Sequence, residues 1–199
     1  MDIHTALIEG SKILKEKSIL TADLDSEILM AKALNRDRKY ILLNSLQKIS
    51  DKDFNVYKKL ISKRSLRKPV AQLINKKFFW NSEFYINSDT LIPRPETELI
   101  VENVIELTKH KNKLHILDIG IGSGCILISI LKEQKTFYGT GIDISNKCLN
   151  ISKINALKQN VNNRLKLFKS NVDKFLIGKY DLIVSNPPYI NKKDLKYLE

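Results

Sequence analysis

The chain has 199 residues, 43% apolar and 28% charged, which suits one medium domain or two small ones and excludes wholesale disorder and fibrous repeats. Its formal charge of +12 attracts RNA, ribosomes or acidic protein surfaces without selecting among them. Lys outnumbers Arg 28 to 6, and residues 1–85 carry 17 basic and 10 acidic groups against 17 and 12 in 86–199, so a solvated lysine surface accounts for the excess at least as well as a phosphate-reading site.

Residues 1–10 carry no basic segment leading into an apolar one. The longest apolar stretch, Cys125 to Leu131, is interrupted by Ser129 and is too short to span a bilayer. No membrane partner is expected. Two cysteines, Cys125 and Cys148, cannot build a disulfide framework; reduced thiols and a cytoplasmic setting are the expectation. His4, His110 and His115 show no ligand spacing with one another or with the cysteines, so no metal is expected.

The first third reads as amphipathic helices. Leu24, Ile28 and Ala31 recur at helical spacing behind Asp23 and Asp25, and Phe54, Tyr57 and Ile61 do so behind a Ser50 N-cap. A short helix over Asp37–Asn44 completes a small bundle of about four helices that closes near Pro69. From Phe78 the pattern turns aromatic and β-branched. Phe78-Phe79-Trp80 and Phe84-Tyr85-Ile86, separated by Asn81-Ser82-Glu83, predict a two-stranded hairpin linking two halves. The segment Ile92-Pro93-Arg94-Pro95-Glu96-Thr97-Glu98 then opens a helix striped by Ile100, Val104 and Leu107, with Pro95 at its first position.

Beyond it the chain alternates. Strands are expected over Leu114–Ile119, Phe137–Ile144, Arg164–Lys169 and Tyr180–Ser185, with helices near Cys125–Gln134 and Asn146–Gln159. That order predicts an α/β, doubly wound parallel sheet, whose ligands sit beyond the carboxyl ends of the strands.

Three strand ends carry the chemistry. The first leads into Gly120-Ile121-Gly122-Ser123-Gly124, where missing side chains permit a sharp turn and close approach of a ligand to the main chain. Its spacing differs from the dinucleotide pattern G-x-G-x-x-G. The second ends at Asp143, placed to accept both hydroxyls of a ribose. Together they indicate a nucleoside-containing cofactor, and the glycine spacing favours S-adenosylmethionine; a ligand-free turn and a helix-capping Asp143 are the alternatives. The fourth strand delivers Asn186-Pro187-Pro188-Tyr189. The Asn186 side-chain carbonyl and the Pro187 carbonyl can both accept from one NH₂ group, orienting its nitrogen toward a methyl sulfonium, while Tyr189 stacks on the planar group. A purely structural turn is the alternative.

These residues resemble the N5-glutamine methyltransferases that modify peptide chain release factors. The discriminating likeness is Leu91-Ile92-Pro93-Arg94-Pro95-Glu96-Thr97-Glu98, joined by Leu117 to Ile126, Arg64 to Val70 and Phe78-Phe79-Trp80. The resemblance implies a Rossmann-like, S-adenosylmethionine-dependent methyltransferase sheet preceded by a small helical bundle and a β-hairpin linker. It divides the chain into a helical substrate-docking domain over 1–72, a hairpin linker over 73–92 and a catalytic domain over 93–199. By the same resemblance Gly120, Ile121, Gly122, Ser123 and Gly124 cradle the methionine part of the cofactor. Asp143 holds the ribose, Asn171 and Val172 lie near the adenine, and Asn186 also borders the cofactor. Asn186, Pro187, Pro188 and Tyr189 then orient the glutamine of a release factor's Gly-Gly-Gln loop, with Asn186, Pro187 and Tyr189 as the catalytic set.

Three departures stand out. Asn171-Val172 replaces the family's usual Asp and following apolar or aromatic residue. Ile74-Asn75 falls where a Gly usually precedes the hairpin, which puts the turn in question. The family continues through roughly three more strands after the Asn186 segment, so the sheet is expected to be incomplete at its C-terminal end. The Asn186 motif is shared with enzymes that methylate exocyclic amines of adenine or cytosine, so a nucleic-acid N-methyltransferase is a competing reading. A non-catalytic remnant that binds cofactor or release factor is another.

Overall fold

The computed structural model describes residues 1–187, so Pro188 and Tyr189 lie outside the described residues. The chain divides into two compact units, Met1–Lys76 and the remainder from Lys77.

The first unit is helical: α1 (Ile3–Glu16), α2 (Ala22–Leu34), α3 (Arg38–Leu43), α4 (Asp51–Ser65) and α5 (Val70–Ile74). Side-chain oxygens start three of them. Asp2 accepts from Thr5 N at 2.8 Å, Asp37 from Tyr40 N at 2.7 Å and Ser50 from Asp53 N at 3.1 Å, each satisfying an otherwise orphaned amide. Ile3, Leu14, Leu29, Met30, Ile41, Tyr57 and Ile61 form the core. Of the expected Leu24–Ile28–Ala31 stripe of α2, Ala31 is buried in the core but Leu24 is 40% exposed, and the buried face also takes in Asp25, Ser26, Leu29 and Met30. Polar partners make that possible: Ser26 Oγ lies 2.6 Å from Tyr57 Oη, and Asp25 accepts from Arg64 Nε at 2.7 Å. Asn75 caps α5 in the left-handed conformation, φ 59° and ψ 36°. Asn tolerates that region through its short polar side chain, so the turn survives without the glycine.

The second unit begins with the hairpin β1 (Lys77–Phe79) and β2 (Ser82–Phe84), paired antiparallel with Phe79 opposite Ser82. The turn is therefore Trp80-Asn81, with Trp80 at φ 51°, rather than Asn81-Ser82-Glu83. Trp80 is held there by its backbone N–H, which donates to Glu98 Oε1 at 2.8 Å, and by its indole Nε1, which donates to Glu133 Oε1 at 2.8 Å. Phe79 and Phe84 meet edge to face in the core of this unit, ring centroids 6.1 Å apart.

Pro95 opens a 3₁₀ turn that continues as α6 (Glu98–Thr108). Its buried positions are Val101, Val104 and Thr108; of the expected stripe Val104 is buried and Ile100 packs partly buried against the core, whereas Leu107 is 74% exposed. Four strands follow: β3 (His115–Ile119), β4 (Tyr138–Asp143), β5 (Leu165–Lys169) and β6 (Leu182–Ser185), with α7 (Cys125–Glu133) and α8 (Asn146–Lys158) between the first three. All pair in parallel in the order β5-β4-β3-β6. The first crossovers run outward from β3 through β4 to β5, and the chain then returns to the far side of β3 with β6. The order thus reverses between β3 and β6. Among the described residues, α6, α7 and α8 are the helices of this unit; α6 packs against α7, and α7 against α8. Ile116, Leu127, Ile128, Leu131, Phe137 and Val184 lie in the core they cover. Among the described residues, no helix is long and apolar enough to cross a membrane.

Candidate functional site

The reversal point brings two sequence-distant strand ends together. Ile119 on β3 pairs with Ser185 on β6, and Ser185 Oγ donates to Ile119 O at 2.9 Å. Gly120 and Asn186 are the next residue on each strand, so the glycine loop and the Asn186 segment leave the sheet side by side at the crevice where such sheets bind ligands. Asp143 ends the neighbouring strand, and Ser170 N donates to Asp143 O at 3.1 Å. That contact brings the Asn171-Val172 turn to the same edge, where both residues are exposed. Pro187 is exposed and Asn186 half-buried.

The glycine loop is shaped by its backbone. Gly120, Gly122 and Gly124 have φ of 75°, 56° and 80°, the left-handed region in which a side chain is strained. At Gly120 a Cβ would meet nothing within 4 Å, so this stretch of main chain faces open space. At Gly124 a Cβ would fall 2.6 Å from Ile128 Cδ1. The loop is packed down on α7 at one end and accessible at the other.

Many of its amides are already used. Gly120 N and Ile121 N donate to Ile142 O at 2.9 and 3.0 Å, Gly124 N to Ile121 O at 2.8 Å, and Gly122 N to Asp143 Oδ2 at 3.0 Å. Asp143 Oδ1 accepts from Ser145 N at 2.8 Å. Each carboxylate oxygen has two acceptor positions, so this bonding fixes the side chain without exhausting its capacity to accept. Ile121 and Ser123 are buried, and Ile121 Cδ1 fills the space over Gly141, so both side chains serve packing.

Two side chains of α8 hold the loop from behind, and sequence reasoning passed over both. Ser152 Oγ donates to Gly122 O at 2.8 Å. Asn155, fully buried, donates to Ser123 O at 2.8 Å and Tyr85 O at 2.9 Å while accepting from Tyr85 N at 2.7 Å. The available signal was a polar amide at a helical position otherwise reserved for core residues.

Asp118 is a further buried group at this site. It is 1% exposed, and its Oδ2 has no hydrogen-bond partner. Burial pushes its carboxyl up to about 7, with the Asp143 charge adding to the rise and the Leu127 amide opposing it. Burial likewise pushes the Cys125 thiol up to about 12, which suits a packing role rather than a nucleophile. Among the described residues no group of three or more His, Cys, Asp or Glu is placed to hold a metal ion. The cavity lined by Lys113, His115, Tyr138, Arg164 and Lys166 opens at the amino ends of the strands, the end opposite Gly120 and Asn186.

Residues 95–198 match the family model of the methyltransferase small domain, and residues 5–74 match that of the PrmC N-terminal domain. A release factor glutamine methyltransferase of Leptospira interrogans is 38% identical over 96% of this chain and 68% of its own length. One from Clostridium botulinum is 37% identical over 100% of this chain and 71% of its own. One from Buchnera aphidicola is 35% identical over 88% of this chain, which spans 62% of it. S-adenosylmethionine is the cofactor of such a domain, and the residues present fit it: an open main-chain face at Gly120, an immobilised carboxylate at Asp143, and an unpartnered buried oxygen on Asp118 suited to a cationic ligand. The family matches and this strand-end geometry agree, and the chain belongs to the release factor glutamine methyltransferase family.

Proposed function

We propose that the protein methylates the side-chain amide nitrogen, N5, of the glutamine in the Gly-Gly-Gln loop of peptide chain release factors. The observation that carries this reading is the placement of Asn186 beside the glycine loop at the sheet's reversal point, in a chain of this family. When bound, S-adenosylmethionine supplies an electrophilic methyl group on a positively charged sulfur. The main chain of Gly120 to Gly124 would hold its methionine part and Asp143 its ribose, with Asn171 and Val172 along the adenine. Asn186 Oδ1 and the Pro187 carbonyl accept the two N–H groups of the substrate amide. As the nitrogen takes the methyl group it becomes acidic and its surplus proton leaves past these acceptors to water, so positioning and charge placement replace a strong general base. Tyr189 would pack on the amide plane. The helical unit of residues 1–72 would dock the release factor.

The test is methyl transfer by the protein to a release factor, read as a mass gain on the glutamine. It is paired with calorimetry of S-adenosylmethionine binding to wild type and Asp143→Ala. Glutamine methylation, with cofactor binding lost in the variant, is the expected result. Methylation of adenine or cytosine in nucleic acid with no modification of the release factor would replace this substrate with a base amine.

A further inference from the structure

The segment from Asp89 to Thr97 has so far only led into a helix, yet its two ends are tied to opposite sides of the site. At one end Asp89 O accepts from Cys148 Sγ at 3.3 Å, and Asp89 Oδ1 pairs with Lys147 Nζ at 3.0 Å. Both partners lie in the first turn of α8, next to the Ser145 amide that holds Asp143. At the other end Thr97 Oγ1 lies 3.3 Å from Asn186 Nδ2, just past β6. The segment thus passes from the β4 side of the crevice to the β6 side. Pro93 is buried, Pro95 occupies the first position of the 3₁₀ turn, and Thr97 N donates to Arg94 O at 3.0 Å. These restraints fix the main chain of Arg94 within one turn of the Asn186 contact. Arg94 itself is exposed, and among the described residues its guanidinium has no hydrogen bond or ion pair.

We propose that Arg94 binds the carboxylate of the methionine part of S-adenosylmethionine. The inference rests on the cofactor placement proposed above and is independent of the methyl acceptor. The cofactor carries a sulfonium, an ammonium and a carboxylate. The first two suit the carboxylates of Asp118 and Asp143, whereas the third is repelled by them. The glycine loop offers that carboxylate little, because the N–H groups of Gly120, Ile121, Gly122 and Gly124 all donate within the protein. A cation is therefore needed on the methionine side of the site. With the adenine toward β5 and the ribose at β4, the methionine part runs toward β3 and β6, the side on which Arg94 is fixed. Lys147, at the other end of the segment, is already paired with Asp89. A planar guanidinium can meet a carboxylate with two parallel N–H groups.

The experiment measures, by calorimetry on the protein, the affinity of S-adenosylmethionine and of decarboxylated S-adenosylmethionine, which lacks only the carboxylate. In wild type the intact cofactor binds about tenfold more tightly, the scale of one charge-assisted pair. Arg94→Gln removes that preference: S-adenosylmethionine weakens about tenfold, and the decarboxylated compound stays within about twofold of its wild-type affinity. Thermal unfolding of Arg94→Gln matches wild type, because an exposed side chain without a partner contributes little to the fold. Equal weakening of both compounds in Arg94→Gln, or unchanged affinity for both, overturns the proposal. So does a wild type that binds the decarboxylated compound as tightly as the intact one, or that binds neither. Asp143→Ala tests the cofactor placement separately and is expected to weaken both compounds alike. If it weakens neither while Arg94→Gln still erases the preference, the ribose placement falls and the role of Arg94 stands.

Discussion

Replacing Asp118 by Asn should flatten the dependence of folding stability on pH. The wild-type carboxyl is buried beside the glycine loop with one oxygen unpartnered, and burial raises it from 3.8 to about 7. In the unfolded chain the group ionises above its ordinary value, whereas in the folded protein it keeps its proton up to about 7. The folded state therefore binds more protons between those values, so its stability is full below about pH 4, falls as pH rises, and levels off once the folded group has ionised. At about 1.4 kcal/mol per pH unit the whole loss is about 4 kcal/mol, of which more than half falls between about pH 5 and pH 8. The amide of the variant does not titrate, so the variant escapes this loss. Urea unfolding of both proteins at intervals from about pH 5 to pH 8 measures the difference directly. The stability of Asp118→Asn relative to wild type should climb by about 2 to 3 kcal/mol and then flatten. A relative stability that stays level across the range would refute the desolvation argument. The same group gives a ligand linkage: a cationic cofactor favours the ionised carboxyl, so S-adenosylmethionine binding near pH 6 should release protons in wild type and fewer in the variant, as read by calorimetry in two buffers.

Asn155→Leu would leave Tyr85 N, Tyr85 O and Ser123 O without their side-chain partner in the interior; the expected cost is about 3 kcal/mol in urea unfolding, with weaker cofactor binding because the glycine loop loses its rear support. In the helical unit, Gly10→Ala places a Cβ 1.9 Å from Tyr57 Oη, a group already bonded to Ser26 and, at 3.2 Å, to Ala6 O. Displacing that ring should cost about 2 kcal/mol or more, with the loss seen in thermal unfolding and the cofactor affinity of the second unit unchanged.

Local rules made most of the backbone readable. Asp37 and Ser50 cap helices because their oxygens reach the third amide, Pro95 starts a helix because it has no N–H to waste, and β3 to β5 follow runs of apolar and β-branched residues. The errors arise where tertiary partners override the local pattern. Asp25 and Ser26 face inward on α2 because Arg64 and Tyr57 meet them, which rotates the helix away from Leu24. Trp80 takes the left-handed turn position, unusual for a bulky residue, because Glu98 and Glu133 bind its two N–H groups. The site divides in the same way. Gly120 to Gly124, Asp143 and Asn186 are contiguous motifs at strand ends, whereas Ser152 and Asn155 bond the glycine loop across 30 and 32 residues and Thr97 meets Asn186 across 89. No spacing rule connects such pairs.

The two halves of the site also differ in what fastens them. The cofactor half hangs on β3 and β4, each with a strand on both sides, and on α8 through Ser152 and Asn155. The half that the proposed function assigns to the substrate hangs on β6, four residues long, with β3 as its one strand neighbour among the described residues and Ile183 58% exposed. Besides the ladder, its attachments among the described residues include His115 N to Asp181 Oδ2 at 2.7 Å, Asp181 N to His115 O at 2.9 Å, Ser185 Oγ to Ile119 O and Asn186 Nδ2 to Thr97, with Val184 in the core. A short strand with little buried apolar surface opens at lower free energy than the strands it flanks. In the 199-residue chain, the β6 amides should therefore exchange with solvent at least about tenfold faster than those of β4. S-adenosylmethionine should slow exchange most at Gly122 and Ser145, whose amides are bonded to Asp143, and least in β6. Exchange in β6 as slow as in β4 would show that the strand is held by more than these contacts.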